Sequence, residues 1–280
     1  MALSLDRPII TLTTDFGSTD PYVGVMKGVI LGINPLATLV DITHQVAPQN
    51  IIQGAFLLGK SYRYFPAHAI HLAVVDPGVG SSRRSLILET PRGRFVAPDN
   101  GVLSYVLQEE GLNLAPGQEG PVPLPPEHRA YVLTNPRYWL HPLSSTFHGR
   151  DVFAPVAAHI SLRTSPQEMG EETNSLSCLP VAVPTWEGDR LRAQVVHIDR
   201  FGNLVTNVPT RLLSGERPIE VRVQGHRIQG VSSYYAQGRG LMALMGSFDT
   251  LEVALRNGNA SAELGAAIGD DVEVTRGPGD

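Results

Sequence analysis

The sequence predicts an α/β fold with two parts, an N-terminal α/β sandwich with a mostly parallel sheet and a smaller C-terminal β-barrel. Three observations indicate this fold class. Short β-branched runs alternate with helical patterns at the start of the chain, the pattern loses its period at 166–190, and short alternating strands follow. Strands that alternate with helices indicate a parallel sheet, whereas closely spaced short strands are typical of barrels and sandwiches. We therefore expect domains at 1–165 and 191–280, joined by a linker at 166–190.

The first elements are predicted in the order strand, helix, strand, helix, strand. The three strands are the apolar runs at 9–13, 38–42 and 71–75. Asp20 is predicted to cap the first helix, with Pro21 at its first position, and Asn50 is predicted to cap the second. Each strand run is closed by a turn sequence or leads into a helix, which indicates a βαβ arrangement.

The remaining elements follow with shorter signals. Further strands are predicted at 85–88, 94–96 and 130–133, a glycine- and proline-rich surface loop at 115–126, and a helix at 151–160. After residue 191 the apolar residues alternate in short runs with glycine turns between them. This pattern predicts the small barrel or sandwich.

Composition excludes several classes of protein. The 280 residues carry a net charge of -5 and no run of basic residues, so we expect no nucleic-acid partner. No apolar stretch reaches the roughly 18 residues of a membrane span, and residues 1–7 lack a signal-peptide pattern. The single cysteine, Cys178, excludes an internal disulfide framework and is typical of a protein in the reducing cytoplasm.

Candidate functional residues lie where predicted strands end. Asp15 follows the first strand and Asp76 the third, so both carboxylates are expected at one crevice beside the sheet. His148 directly precedes a predicted helix, where a histidine can face a ligand. A turn role for each aspartate and a structural role for the histidine remain open as alternatives.

Five motifs in this order resemble the S-adenosyl-L-methionine hydroxide adenosyltransferase family, whose relatives include the bacterial fluorinase and chlorinase. The resemblance extends from Ile9 to about Val274. The motifs are Thr13-Thr14-Asp15-Phe16-Gly17, Val75-Asp76-Pro77-Gly78-Val79-Gly80 with Arg83, Ala97-Pro98-Asp99-Asn100-Gly101, Ser145-Thr146-Phe147-His148-Gly149-Arg150-Asp151 and Ile198-Asp199-Arg200-Phe201-Gly202-Asn203.

The resemblance implies that Asp76, Arg83 and His148 are the catalytic set of the hydrolytic branch. It implies hydrolysis of S-adenosyl-L-methionine to adenosine and L-methionine, by attack of water or hydroxide at C5′ of the ribose. The halogenating enzymes carry a tyrosine where Asp76 stands, and Val79 offers no hydrogen bond to a halide. Gly149 lies where the fluorinase has a serine that contacts fluoride, which further favours the hydroxide-using branch.

The resemblance also implies a set of substrate contacts. Asp15 would bind the two ribose hydroxyls, and Phe147 and Phe201 would pack against the ribose or adenine. Asn203 would bind the adenine edge. Asp199 would bind the methionine ammonium group, and Ser247 would bind the methionine carboxylate.

The same resemblance implies a homotrimer, with each substrate between the N-terminal domain of one subunit and the C-terminal domain of its neighbour. No cofactor and no metal are expected. Two alternatives stay open: a non-catalytic module that binds S-adenosyl-L-methionine or adenosine, and a metal-dependent hydrolase. The metal ligands of that hydrolase would be Asp15, Asp20, Asp76, Asp99 and His148.

Overall fold

The computed structural model describes residues 7–115, 117–213 and 219–277. The signal-peptide prediction for residues 1–7 therefore lies almost wholly outside the described residues. The chain divides into two compact units, Met1–Leu114 with Gln118–Val181 and Ala115–Gly117 with Ala182–Asp280. An α/β unit precedes an antiparallel, barrel-like unit, so the predicted fold class is confirmed.

The N-terminal unit is built on a seven-stranded sheet. Its first four positions, in the spatial order β2-β1-β3-β5, are parallel, and β4, β7 and β8 continue the sheet antiparallel. A separate pair, β6 with β9, is antiparallel. The strands are β1 Ile9–Thr14, β2 Thr38–Thr43, β3 Ile70–Val74, β4 Ser85–Thr90, β5 Gly93–Pro98, β6 Gly120–Pro123, β7 Arg129–Leu133, β8 Gly170–Thr173 and β9 Ser175–Cys178.

Helices pack on this sheet. They are α1 Tyr22–Ile33, α2 Ile51–Ser61, α3 Ser104–Glu109, α4 Ala154–Ser161 and α5 Pro166–Met169, with a π-helical turn at Gly149–Phe153 that runs directly into α4. The Asn50 side chain caps α2 by accepting the Gln53 amide, which confirms that prediction. The prediction for α1 is wrong, because Pro21 occupies the cap position and no side chain caps the helix.

Burial explains why the third strand has no alternation. All five residues of β3 are buried, because β1 and β5 pair with its two edges and α4 and the π-helical turn pack against it. One core cluster of the unit joins β1 and β3 to α1 and α4, through residues such as Leu12, Leu72, Met26 and Val156. This core fixes where the strands end, and therefore where the polar loops begin.

The segment 166–190, predicted as a linker, carries ordered elements of the N-terminal unit. It contains α5, β8 and β9, and the two units divide at Val181. Cys178 is buried on β9, and burial raises the pKa of its thiol.

The C-terminal unit is an antiparallel sheet that curls almost into a barrel. The order is β14-β13-β17-β11-β12-β16-β15, with β10 paired to β11. After β14, Ser232 forms a bridge with Leu244 of β15, which brings the two ends of the sheet together. The elements are β10 Thr185–Glu187, β11 Arg190–Ile198, β12 Leu204–Pro209, β13 Ile219–Val223, β14 His226–Gln229, β15 Leu241–Met245, β16 Thr250–Leu255, α6 Ala260–Leu264 and β17 Asp271–Arg276.

Alternation along β11 and β13 places one face of each strand inside this unit. Leu191, Ala193 and Val195 of β11 are buried, as are Val221 and Val223 of β13, while their neighbours are more exposed.

Among the described residues, no helix is both long enough and apolar enough to cross a membrane.

The close pairing of β8 with β7 gives a test of the N-terminal unit. A Cβ added at Gly170 would lie 1.9 Å from the carbonyl oxygen of Val132. We expect Gly170→Ala to lower the free energy of unfolding by about 2 kcal/mol, because the backbone of β7 must move. Urea denaturation of the purified protein measures this change.

Gly28→Ala in α1 is the matched control. A Cβ at Gly28 meets no atom within 4 Å, and the position is helical. Alanine there should stabilise the protein by up to about 1 kcal/mol. Equal unfolding free energies for the two variants would contradict the described packing of β8.

Candidate active site

The carboxyl ends of two neighbouring parallel strands carry the first two candidate residues. The register of β1 and β3 pairs Thr14 with Val74. Asp15 follows Thr14 directly, and Asp76 comes two residues after Val74. Both carboxylates therefore leave the sheet at the same edge, as the sequence predicts.

Asp76 and Arg83 form a buried ion pair across the loop that follows β3. Arg83 Nε donates to Asp76 Oδ1 at 2.8 Å, and Arg83 Nη2 donates to Asp76 Oδ2. The side chains are only 5% and 10% exposed, respectively. Two parallel hydrogen bonds fix the plane of the guanidinium as well as its position.

Further contacts hold the guanidinium from its other sides. Arg83 Nη1 donates to Ser85 Oγ at 2.6 Å and to the Arg84 carbonyl oxygen at 3.2 Å. The guanidinium carbon lies 5.1 Å from the centre of the Phe153 ring. The cation is thus placed by β4 and by the π-helical turn, with little freedom to move.

His148 is the third member of this group. Its Nδ1 lies 3.2 Å from Arg83 Nη2. Arginine only donates, so Nδ1 must be the unprotonated, accepting nitrogen of the ring. Burial lowers the pKa of His148 and the Arg83 cation lowers it further, while the Asp76 and Asp151 carboxylates act in the opposite direction. The neutral ring, with its proton on Nε2, is therefore the favoured form.

A glycine allows the two loops to meet. Gly80 has a φ of 77°, and a Cβ there would lie 2.3 Å from the Ser145 carbonyl oxygen. Only glycine tolerates both this conformation and this close approach. The loop that carries Asp76 and Arg83 therefore packs directly against the loop that carries His148.

Asp15 and Phe147 complete the group, together with two aromatic residues that the sequence reasoning missed. Asp15 Oδ2 accepts the Gln49 amide at 2.8 Å. Phe147 packs edge-on against Phe16, with ring centres 5.8 Å apart, and against Tyr22 at 5.2 Å. Phe16 belongs to the first of the five motifs, although no role was predicted for its side chain. We call Asp15, Asp76, Arg83, Phe147 and His148 the N-terminal cluster.

The five residues named as ligands for the alternative metal-dependent hydrolase do not form a metal-binding group among the described residues. Asp99 is buried and binds Arg84 Nε at 2.7 Å and the Ser177 amide at 2.7 Å, so it joins β4, β5 and β9. Asp20 is exposed. Within the described residues, no three His, Cys, Asp or Glu side chains lie close enough together to hold a metal ion.

The other four candidate residues line one pocket of the C-terminal unit. This pocket has a volume of about 820 Å³ and is walled by residues of the β11–β12 turn and of β16 with its flanking loops. Asp199, Phe201, Asn203 and Ser247 all line it. We call it the C-terminal pocket.

The turn between β11 and β12 is organised by Asp199. Its Oδ1 accepts the amides of Phe201 and Asn203, both at 2.9 Å, and its Oδ2 accepts the Asn203 side-chain amide at 2.9 Å. Gly202 has a φ of 81° and packs against Asn259. This geometry leaves the Phe201 ring 74% exposed, as expected for a platform on which a flat ligand can stack.

Glu252 and Tyr235 also line the pocket and were not predicted. Glu252 is only 4% exposed, and Tyr235 Oη donates to its Oε2 at 3.0 Å. Burial and the Asp199 charge raise the pKa of Glu252, although the hydrogen bond from Tyr235 acts in the opposite direction. Burial and Glu252 together raise the pKa of Tyr235 to about 12.

Comparison with known proteins identifies a family and several relatives of this chain. The SAM hydroxide adenosyltransferase N-terminal domain matches residues 10–170, and the C-terminal domain of the same family matches residues 193–273. A protein of Methanocaldococcus jannaschii named (R)-S-adenosyl-L-methionine hydrolase is 35% identical over 280 residues, which covers 95% of each chain. A fluorinase of an Actinoplanes species is 27% identical and covers 72% of each chain.

A solved structure shares the fold. The crystal structure of an uncharacterized conserved protein from Thermotoga maritima is 34% identical, with a TM-score of 0.84, and the match covers 96% of this chain and 100% of the other. Both family domains, in order and over most of the sequence, confirm the resemblance inferred from the five motifs. The chain belongs to the SAM hydroxide adenosyltransferase family.

Proposed function

We propose that this protein hydrolyses S-adenosyl-L-methionine to adenosine and L-methionine, by attack of water at C5′ of the ribose. The observation that carries the proposal is the buried Asp76–Arg83 ion pair in contact with the half-buried His148, in a chain whose relatives include named S-adenosyl-L-methionine hydrolases. A protein that only binds this ligand has no need of a buried guanidinium shared between a carboxylate and a neutral histidine.

The difficult part of this reaction is the activation of the nucleophile. The oxygen of water bonds to C5′, the C5′–S bond breaks, and sulfur leaves with the electron pair as the neutral thioether of methionine. This leaving group needs no general acid. Water is a weak nucleophile near neutral pH, so the protein must orient it and accept its proton.

The hydrogen bonds suggest a role for each member of the catalytic group. Because His148 Nδ1 accepts from Arg83, its Nε2–H is available to donate to the water oxygen. Each Asp76 oxygen accepts one bond from Arg83 and keeps a second lone pair. We therefore assign Asp76 as the base and His148 as the group that orients the water. The Arg83 cation stabilises the negative charge that develops on oxygen.

The rest of the ligand is assigned to the remaining candidates. Asp15 Oδ2 already accepts the Gln49 amide, and the carboxylate retains lone pairs for both ribose hydroxyls. Phe147 would pack against the ribose. In the C-terminal pocket, Phe201 would stack on the adenine and Asn203 would bind its edge.

The amino-acid end of the ligand is assigned to two residues of the same pocket. Asp199 would bind the methionine ammonium group, and Ser247 would bind the methionine carboxylate. The reaction as written uses no cofactor and no metal ion.

Assembly and location are further proposals. From the family resemblance, we propose a homotrimer in which the ligand contacts the N-terminal cluster of one subunit and the C-terminal pocket of its neighbour. Light scattering after gel filtration measures the subunit count.

A cytoplasmic location is proposed from the single thiol, Cys178.

Product analysis is the direct test of the activity. Incubation of the wild-type protein with S-adenosyl-L-methionine should give adenosine and methionine in equal amounts by mass spectrometry. The same yield is expected after EDTA treatment, because the scheme routes no step through a metal ion. Tight binding without product would favour the non-catalytic alternative, and activity lost to EDTA and restored by Mg²⁺ or Mn²⁺ would favour a metal-dependent hydrolase.

Substitution of the proposed base tests the division of roles. We expect Asp76→Asn to lower kcat by about 10²- to 10⁴-fold, while substrate affinity measured by calorimetry changes only several-fold. Glu89→Gln, which removes a carboxylate paired with Arg94 on an exposed surface, is the control and should retain full activity. Wild-type turnover in Asp76→Asn would contradict the assignment.

The pH dependence tests the charge of His148. Its pKa is lowered from the ordinary 6.5, so the neutral ring is lost only as pH falls below that value. We expect kcat/KM to fall on the acid side with a midpoint below pH 6.5 and to be flat just above it. His148→Asn can still accept a hydrogen bond from Arg83 but does not titrate. Its activity should be lower, and its kcat/KM should no longer show this fall on the acid side. The same acid-side fall in that variant would assign the titration to another group.

A further inference from the structure

A chain of polar contacts outside the proposed catalytic group leads to the Asp15 turn. His44 directly follows β2, and its Nδ1 lies 2.8 Å from the hydroxyl of Thr14, the last residue of β1. On its other side, His44 Nε2 lies 3.0 Å from Asp41 Oδ1. Asp41 Oδ2 in turn accepts Lys27 Nζ at 2.6 Å. Thr14 is fully buried, and the His44 side chain is 11% exposed.

The positions of the protons along this series of contacts follow from the negative charge of Asp41 beside His44. Although burial raises the pKa of Asp41, its contacts with Lys27 and His44 hold that pKa below the usual value, so Asp41 is an anion. An anion beside Nε2 favours the proton on that nitrogen. His44 Nδ1 then accepts the Thr14 hydroxyl proton, and the Thr14 oxygen is left to accept the Phe16 amide at 3.3 Å.

The segment around His44 also holds the Asp15 turn through its backbone. The Gly17 amide donates to the His44 carbonyl oxygen at 2.8 Å. Five residues later, the Gln49 amide donates to Asp15 Oδ2 at 2.8 Å, and Gln49 adopts a left-handed φ of 64° to do so. A non-glycine residue in this region is strained and persists only where its surroundings fix it. The segment 44–49 thus holds the turn through two hydrogen bonds, one to the Asp15 side chain and one from the Gly17 amide.

We propose that His44 is a positioning residue, which acts through Thr14 to hold the Asp15 carboxylate where it can accept both ribose hydroxyls. The inference rests on the proposed function, because it assigns the ligand of Asp15. Neither His44 nor Thr14 is placed in contact with the substrate. Their contribution is to set the orientation of the Asp15 carboxylate, whose Oδ2 accepts the Gln49 amide.

Two substitutions of His44 separate its two contacts. Asparagine places a carbonyl oxygen near the Nδ1 position, so His44→Asn can still accept the Thr14 hydroxyl but cannot reach Asp41. Glutamine places an amide near the Nε2 position, so His44→Gln can keep a polar contact with Asp41 but no longer accepts from Thr14. Each variant loses one contact, which makes them matched in overall disruption.

The readouts are the Kd for adenosine by calorimetry and the separate kcat and KM values for S-adenosyl-L-methionine. We expect His44→Gln to raise Kd and KM by roughly tenfold, as for a lost orienting hydrogen bond, with kcat nearly unchanged. His44→Asn should stay within about twofold of wild type. Thr14→Val also removes the acceptor of the Phe16 amide, so it should weaken binding at least as much as His44→Gln. The double variant should be no worse than Thr14→Val alone, because that substitution already removes the contact with His44.

Lys27→Met is the control for the outer end of the chain. It removes the surface partner of Asp41 and should leave Kd and KM unchanged. Equal Kd values for His44→Gln and wild type, in a wild-type protein that hydrolyses its substrate, would overturn the positioning role alone. So would equal losses in His44→Asn and His44→Gln. A wild-type protein that neither binds adenosine nor hydrolyses S-adenosyl-L-methionine would overturn both the role and the proposed function.

Discussion

The structure of the proposed catalytic group depends on one buried cation, the guanidinium of Arg83. It donates to both oxygens of Asp76 and to Nδ1 of His148, and its remaining nitrogen binds Ser85 and the Arg84 carbonyl. A buried charge is costly unless it is paired and hydrogen-bonded. Burial lowers the pKa of His148 and the Arg83 cation lowers it further, so the ring that accepts from Arg83 is favoured in its neutral form. Under the proposed function, the same contacts that hold Arg83 position Asp76 as the base and His148 as the donor to water.

The fold brings this group together through the register of parallel strands. β1 and β3 end at the same edge of the sheet, β4 supplies Ser85, and the π-helical turn before α4 follows His148. The N-terminal cluster thus draws on three separate stretches of chain: the end of β1, the loop between β3 and β4, and the loop before the π-helical turn. In the C-terminal unit, a single tight turn and the neighbouring strand β16 build most of the pocket. Under the proposed function, the N-terminal unit supplies the reacting groups and the C-terminal pocket contributes to recognition of the substrate.

Much of this could be predicted from the sequence, for identifiable reasons. The strand predicted at 71–75 is an apolar run followed directly by Asp-Pro-Gly. This local signal corresponds to β3 and the turn after it in the structure. The short polar strands β8 and β9 were missed because their pairing with β7 and β6 is non-local. Glu252 was missed because nearly every residue of β16 is buried, so no alternation reveals a carboxylate that faces a pocket. The shared hydrogen bonds of Arg83 join residues 65 positions apart, which spacing alone does not reveal.

The central claim is that the protein directs water to C5′ of the ribose, and isotope labelling tests it most directly. Hydrolysis of S-adenosyl-L-methionine in ¹⁸O-labelled water should give adenosine that carries the label at its 5′ oxygen, together with unlabelled methionine. Release of free adenine, of a methylated product or of 5′-methylthioadenosine would contradict the account, because each of these arises from cleavage of a different bond.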